Sequence, residues 1–108
     1  MIINICLTTV FIKLKLNKQS ESESRIEKAL VKAVQKAGGL AIKLISPSMA
    51  GLPDRLVLMP DSRCFFVELK APKQKMRPLQ IKRAQQLKML GFEVFCVDNV
   101  NDIKELII

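Results

Sequence analysis

The 108-residue sequence contains no histidine, no tyrosine and no tryptophan. Without histidine, the chain can form neither a His-dependent catalytic triad nor a metal site with imidazole ligands, and it has no imidazole general base. Without tyrosine, it cannot carry out recombination through a tyrosine nucleophile. The hydrophobic core must therefore be built from leucine, isoleucine, valine and the five phenylalanines.

Cysteine is scarce as well: Cys6, Cys64 and Cys96 are widely spaced, and no two of them form a CxxC pair. Three cysteines complete no disulfide framework and cannot form a four-cysteine zinc site. Cys64 and Cys96 lie inside apolar runs, which predicts buried free thiols. This pattern favours a reducing, intracellular compartment, and we expect a cytoplasmic protein.

Acidic residues are absent between Lys70 and Leu90, although this stretch contains seven cations and the whole chain carries a formal net charge of +8. A localised basic surface suits a polyanion, and nucleic acid is the commonest polyanionic partner of proteins. The predicted DNA contacts are Lys73, Lys75, Arg77, Lys82 and Arg83. The alternative is a solvated helix face without a partner. No basic amphipathic helix with bulky aromatic anchors is present, so we expect no membrane association.

Residues 1–19 form an apolar extension that ends in a polar linker, and residues 20–108 form the predicted domain. From Phe11 to Leu16 apolar and polar residues alternate, which is the periodicity of a strand. The apolar run is too short to span a bilayer, and no basic residue precedes Lys13, so we predict neither a transmembrane helix nor a signal peptide. We expect an extra N-terminal edge strand. The alternative is a start codon assigned upstream of the true one.

The remaining patterns predict an α/β domain. Ser24 is the predicted N-cap of a helix, with Glu27 at the capping-box position and Gly38 at the end. Pro78 begins a second helix, which stops at Gly91. Strands are predicted over residues 40–45, 54–59, 63–69 and 93–97, and a short helix or turn over residues 103–107. The second and third of these strands are apolar on both faces, so we expect a mixed sheet flanked by helices.

The turn at residues 60–62 joins two strands into a hairpin. If its loop has three residues, Met59 pairs with Arg63, and counting back places Asp54 directly opposite Glu68. Side chains opposed in this way have Cβ atoms about 4.5–5.5 Å apart. Glu68 and Lys70 are two residues apart on one strand and therefore share a face. A two-residue turn would shift the pairing by one and separate the two carboxylates.

Two carboxylates this close repel each other unless a cation or a proton lies between them. Oxygen ligands favour Mg²⁺ or Mn²⁺ over zinc. Such an ion polarises a phosphoryl oxygen and lowers the pKa of a water molecule. The ammonium of Lys70 could orient that water and stabilise the developing negative charge. The reaction that this arrangement of Asp54, Glu68 and Lys70 suits is phosphodiester hydrolysis.

Two motifs, Gly51-Leu52-Pro53-Asp54-Arg55 and Phe66-Val67-Glu68-Leu69-Lys70, resemble the signature of PD-(D/E)XK nucleases. Together with the flanking helices, they resemble more specifically the VRR-NUC (virus-type replication-repair nuclease) family, over roughly residues 22–100. The resemblance implies a restriction-endonuclease-like αβββαβ core and dependence on Mg²⁺ or Mn²⁺. It also implies endonuclease activity on branched, flapped or Holliday-junction DNA in replication, repair or recombination, and a homodimer.

The resemblance also implies roles for individual residues. Glu27, Asp54 and Glu68 fall on the positions of the metal-binding carboxylates, and Lys70 falls on the catalytic lysine. Gln80 falls where such nucleases carry a helix glutamine near the site.

Each of these residues has a structural alternative. Glu27 could instead serve only a capping box, and Glu23, one turn earlier on the same helix face, is the alternative ligand. Asp54 could close a turn after a proline, and the amide of Gln80 could bond to backbone. Arg55 and Lys43 stay open between phosphate contact and solvation. The alternative function is a non-catalytic, basic nucleic-acid-binding module, and a third possibility is an enzyme that works only inside a larger complex.

Overall fold

The computed structural model describes residues 22–108 of the chain. Its elements in chain order are α1 (Glu23–Lys36), β1 (Leu40–Lys43), β2 (Arg55–Leu58), β3 (Cys64–Leu69), α2 (Pro78–Met89), β4 (Glu93–Val97) and α3 (Asn101–Ile107). The order of elements predicted for this part of the chain is confirmed, and strand ends differ from the prediction by at most two residues. The predicted N-terminal strand lies outside the described residues.

The four strands form one sheet in the order β1-β2-β3-β4. β1 and β2 are antiparallel, as are β2 and β3, whereas β3 and β4 are parallel. A parallel pair needs a crossover connection, and α2 lies in that connection. The prediction of a mixed sheet flanked by helices is confirmed.

The β2–β3 hairpin has the three-residue loop on which the predicted register depends. Met59 donates its backbone N–H to the carbonyl of Arg63 at 2.8 Å, which closes the loop. Ser62, with a φ of 71°, adopts the left-handed conformation typical of such loops. Arg55 pairs with Val67, and one further step along this register sets Asp54 opposite Glu68.

α1 packs its apolar stripe on one face of the sheet. Ile26, Leu30 and Val34 of this helix are fully buried, and they form one core cluster with strand residues such as Phe65 and Val67. α3 completes the cluster from the same side. This face of the sheet therefore holds most of the hydrophobic core, and no helix within residues 22–108 is long and apolar enough to cross a membrane.

The start of α1 differs from the prediction. Ser22, and not Ser24, is the N-cap, and its Oγ accepts a hydrogen bond from the backbone N–H of Arg25 at 3.2 Å. The earlier start gains an acidic residue, Glu23, in the first turn, where the positive end of the helix dipole favours it. Glu27 consequently lies in the second turn, and the capping box predicted for it is wrong.

α2 packs on the opposite face of the sheet, against β4. It does not cover the whole face, because Leu40 and Ile42 of the edge strand β1 remain 60% and 41% exposed. The burial predicted for Cys96 is also wrong: its thiol is free and exposed, while Cys64 is half-buried. Cys96 lies on the edge strand β4, which has no neighbouring strand on one side within the described chain.

Candidate active site

Glu68 is a buried carboxylate whose two oxygens have different environments. Its Oε2 accepts a hydrogen bond from the side-chain amide of Gln80 at 2.6 Å, and the Lys70 ammonium lies 3.2 Å from the same oxygen. Its Oε1 is buried and has no hydrogen-bond partner. Since the residue is only 1% exposed, an unpaired carboxylate oxygen is costly unless a cation or proton meets it.

Asp54 is fixed at the start of β2 by hydrogen bonds on two sides. Its Oδ2 accepts the backbone N–H of Leu69 at 2.9 Å, and its carbonyl accepts the N–H of Leu44 at 2.9 Å. The side chain thus reaches across the hairpin toward β3. Asp54 and Glu68 lie opposite each other, as the predicted register required.

The pKa of Glu68 is raised above its ordinary value of 4.5. Burial is the largest cause, and the negative charge of Asp54 is the next. The hydrogen bond and positive charge of Lys70 lower this pKa, and a smaller repulsion from Glu23 raises it again. The pKa of Glu68 is raised overall, so Lys70 does not fully offset the effects of burial and of the negative charge of Asp54.

Gln80 lies in the first turn of α2 and serves two partners at once. Its Oε1 accepts the backbone N–H of Arg77 at 2.8 Å, and its Nε2 donates to Glu68. The backbone bond expected of a structural amide is therefore present, and so is the contact with the predicted site. Because its oxygen and its nitrogen both make hydrogen bonds, the side-chain amide of Gln80 has one orientation. In this orientation it donates to Oε2 of Glu68, and Oε1 has no partner.

Glu27 lies on the other face of the sheet from Glu68. Its Oε2 accepts a hydrogen bond from Arg55 Nε at 2.9 Å and lies 3.6 Å from Lys43 Nζ. Arg55 and Glu68 occupy alternate positions of the hairpin, because Arg55 pairs with Val67 of the α1-facing core. The structure therefore joins Glu27 to Arg55 and Lys43, and does not bring it to Asp54.

Glu23 is the acidic residue in the first turn of α1. Its charge contributes to the raised pKa of Glu68, whereas Glu27 makes no such contribution. Within residues 22–108, no three aspartate, glutamate or cysteine side chains are close enough together to hold a metal ion. The structure thus places Asp54 opposite Glu68, and it places neither Glu23 nor Glu27 close enough to complete a three-carboxylate metal site with them.

The five residues predicted to contact DNA differ in their exposure and in their hydrogen bonds. Lys73, Lys75, Arg77 and Lys82 are exposed. Arg83 is half-buried, and its Nε donates to the carbonyl of Ala50 at 3.0 Å while its Nη1 donates to Gln86 at 2.8 Å. Arg83 therefore fastens α2 to the loop between β1 and β2, a role that its place in a basic run did not indicate.

Cys96 is a neighbour of the site that sequence reasoning missed. It pairs with Glu68 in the parallel register of β3 and β4, so the two side chains share a face of the sheet. Although the residue is exposed, partial desolvation by its neighbours, followed by the charges of Glu68, Asp98 and Asp54, raises the pKa of its thiol, against an opposing effect of Lys70. Only the strand pairing reveals this neighbour, since nothing local in the sequence relates residue 96 to residue 68.

Comparison with known proteins agrees with this geometry. No family model matches the chain. A protein named "Putative nuclease p44", from Acyrthosiphon pisum secondary endosymbiont phage 1, is 46% identical over 77 residues, which cover 71% of this chain and 83% of the phage protein. A solved structure described as a VRR_NUC domain superposes with a TM-score of 0.74 at 31% identity, covering 79% of this chain and 92% of that one. The chain belongs to the VRR-NUC family.

This membership confirms the resemblance carried by the motifs around Asp54 and Glu68, and it confirms the restriction-endonuclease-like fold. As a member of the VRR-NUC family, the chain is a nuclease. A nuclease fold of the PD-(D/E)XK type implies a divalent metal ion. The buried, unpartnered oxygen of Glu68 beside a second carboxylate fits such an ion, because hard divalent cations prefer carboxylate oxygens.

The raised pKa of Glu68 predicts a pH-dependent stability in the absence of metal. The folded protein keeps a proton on Glu68 at pH values where the unfolded chain has lost it, so the free energy of unfolding falls as the pH rises from 4.5 through the raised pKa. We expect Glu68→Gln, which carries no such charge, to gain stability relative to the wild type as the pH rises. Urea unfolding of both proteins in EDTA, at a series of pH values from acid to neutral, measures this.

Adding a divalent cation provides the control for this measurement. Cation binding to the ionised wild type should reverse the trend, because it stabilises the folded state alone. A stability difference between the two proteins that is constant over the whole pH range would show that Glu68 titrates normally.

Proposed function

We propose that this VRR-NUC nuclease is a Mg²⁺- or Mn²⁺-dependent endonuclease that hydrolyses phosphodiester bonds of DNA, with a preference for branched, flapped or Holliday-junction substrates. The observation that carries the proposal is the buried, unpartnered Oε1 of Glu68 opposite Asp54. A structural ion pair would satisfy both oxygens of a buried carboxylate. Here one oxygen is held by protein groups, and the other is left for a ligand.

Asp54 and Glu68 are the residues that would hold the metal ion. A divalent ion bound there supplies a Lewis acid for a phosphoryl oxygen and lowers the pKa of an attacking water molecule. Mg²⁺ keeps several water ligands and is commonly bound through one or two carboxylates together with substrate phosphate. Two protein carboxylates therefore make an adequate site when the remaining ligands come from water and the DNA backbone.

Lys70 and Gln80 prepare this pair for the reaction. Both donate to the same oxygen of Glu68, so they share its negative charge and prevent the carboxylate from rotating. The Lys70 ammonium is partly accessible, with 12% of its side chain exposed. From this position it can also orient a water molecule and stabilise negative charge that develops on the scissile phosphate.

For the third carboxylate, we propose Glu23 ahead of Glu27. Glu23 acts electrostatically on Glu68, whereas Glu27 is already bound by Arg55 and Lys43 on the other face of the sheet. In this proposal Glu23 adds negative charge near the metal ion but is not one of its ligands. Glu27 instead ties α1 to the first strands of the sheet.

The exposed cations of the loop after β3 and of α2 would bind the DNA backbone. Lys73, Lys75 and Arg77 follow Lys70 in the chain, and Lys82 lies on the helix that carries Gln80. The basic residues thus begin at the catalytic lysine itself, which would place phosphates beside Asp54 and Glu68. The rival function, a non-catalytic nucleic-acid-binding module, would use the same cations. It would have no use for Asp54 and Glu68, which we call the catalytic pair.

A homodimer is part of the proposal because cutting a four-way junction symmetrically requires two active sites related by a twofold axis. A 12.2 kDa chain with one catalytic pair cuts one strand in each encounter. The apolar segment at residues 1–16, which lies outside the described residues, either completes the sheet of its own protomer or packs across the interface in this proposal.

The first test concerns the metal ion. We expect Asp54→Asn and Glu68→Gln to abolish cleavage of a panel of single-stranded, duplex, flap and four-way-junction DNA in Mg²⁺ or Mn²⁺, because each removes a charged ligand. DNA binding in Ca²⁺ should persist, since the basic surface is unchanged. Glu105→Gln, which removes an exposed carboxylate from α3, is the matched control and should cleave like the wild type.

Two results would count against this assignment. Near wild-type cleavage by either variant would mean that the metal is held elsewhere. Wild-type protein that binds the whole panel and cleaves none of it on titration with Mn²⁺ would favour the non-catalytic module.

The second test separates the two helix carboxylates. We expect Glu23→Gln to raise the Mn²⁺ concentration needed for half-maximal cleavage, because it removes negative charge near the metal. Glu27→Gln should leave that concentration unchanged and lower the free energy of unfolding by about 1 kcal/mol, since a half-buried hydrogen-bonded ion pair is lost. Metal-activation curves and urea unfolding of both variants measure this, and the opposite pattern would restore Glu27 as the ligand.

The third test concerns the basic residues. If the exposed cations contact phosphates, the logarithm of DNA affinity falls with the logarithm of salt by about 0.9 per contact. We expect Lys73→Gln together with Lys75→Gln to flatten that slope by roughly two units. Lys28→Gln with Lys32→Gln on α1 removes the same charge from the opposite side of the sheet and should leave the slope unchanged. Equal slopes for all three proteins would mean that the basic loop is only solvated.

A further inference from the structure

The loop between β1 and β2, which leads into Asp54, exposes two large apolar side chains. Ile45 is 79% exposed and Met49 is 46% exposed. Ile45 follows Leu44, whose N–H bonds to the carbonyl of Asp54, and the loop returns to Asp54 through the buried Pro53. We call Ile45 and Met49 the apolar tip.

The loop is held firmly on both sides. Arg83 of α2 donates to the carbonyl of Ala50, and Met49 donates its N–H to the carbonyl of Ser46 at 3.4 Å. Gly51 has a φ of +86°, and a Cβ built there would lie 2.9 Å from the Cγ of Leu79. The loop backbone at Ala50 and Gly51 is therefore attached to α2, and the apolar tip lies on a loop that this attachment supports.

The helix against which the loop packs is cationic. Arg77, the N-cap residue of α2, and Lys82 in its second turn are both exposed and lie on either side of Leu79 in the chain. Leu79 is itself 43% exposed, and it lies against the loop at Gly51. A partner that is both strongly anionic and able to accept apolar side chains is a nucleic acid, which presents phosphates outside and base faces inside.

We propose that the apolar tip inserts between bases where stacking is interrupted, and so selects branched or flapped DNA for cleavage; this rests on the proposed function. Apolar wedges such as isoleucine and methionine unstack a base step at a cost of a few kcal/mol. That cost is smallest where a branch or strand end has already broken the stack. The same side chains therefore favour a junction over continuous duplex, without reading any sequence.

The position of the apolar tip fits this role better than that of Met89 and Leu90, the two apolar residues exposed at the end of α2. Met89 and Leu90 are 88% and 73% exposed, but they lie at the far end of α2. At the helical rise of 1.5 Å per residue, that end is about 14 Å from Gln80. Ile45, in contrast, is one residue beyond the backbone pair formed by Leu44 and Asp54. Met89 consequently offers a matched control of similar chemistry and no proximity.

The experiment uses flap DNA with 2-aminopurine at the branch point, because the fluorescence of this base rises when it is unstacked. In Ca²⁺, where binding is expected without cleavage, wild-type protein should raise the fluorescence, and the double variant Ile45→Asn, Met49→Asn should not. In Mn²⁺, the ratio of flap to duplex cleavage should fall about tenfold in the double variant, which corresponds to about 1.4 kcal/mol. Met89→Asn should match the wild type in both assays.

Each other outcome has a definite meaning. A double variant that keeps both the fluorescence change and the cleavage ratio overturns the wedge. Sedimentation velocity showing that the double variant has lost a wild-type dimer also overturns it, because the apolar tip is then an interface between copies. A wild-type protein that unstacks the branch but cuts no DNA in Mn²⁺ supports the wedge and overturns the proposed function alone.

Discussion

The rest of the site depends on Glu68, a buried carboxylate of which only one oxygen has hydrogen-bond partners. Gln80 and Lys70 both hold Oε2 of Glu68, and Oε1 has no partner. The lysine alone would be a flexible counter-ion, but the glutamine is fixed at its other end by the N–H of Arg77. The start of α2 therefore determines the orientation of a side chain on β3. A site for a cation results because the protein leaves part of a buried charge uncompensated.

Side chains alternate along the strands, so that one face of the sheet holds the hydrophobic core and the other holds the candidate site. On β3, Phe65 and Val67 point toward α1 and belong to the core, while Glu68 points toward α2 and belongs to the site. The same alternation assigns Arg55 to the α1 face and Asp54 to the α2 face. Glu27 and Arg55 therefore join α1 to the sheet on the face that holds the core. A substitution can affect one face with little effect on the other.

Much of this arrangement could be predicted from local patterns. The register that opposes Asp54 and Glu68 follows from a three-residue loop, and a short loop is a local property of the chain. The helix start was missed because the capping-box spacing of Ser24 and Glu27 favoured Ser24, whereas the structure caps the helix with Ser22 and places Glu23 in its first turn. The exposure of Cys96 and the partner of Glu27 could not be predicted, because both depend on which helix covers which face. That is a tertiary property, and no periodicity within one element encodes it.

Arg83 has a role that differs from that of the exposed cations around it. Its guanidinium bonds to the carbonyl of Ala50 and to Gln86, so it joins the loop that precedes Asp54 to the helix that orients Glu68. Asp54 and Glu68 are thereby both attached to one helix, Glu68 directly through Gln80 and Asp54 through the loop. On the α2 face, which is only partly covered, hydrogen bonds make the attachment that core packing makes on the α1 face. The basic run of α2 therefore holds two kinds of cation, because Arg83 is bonded within the protein while Lys82 and Lys88 are exposed.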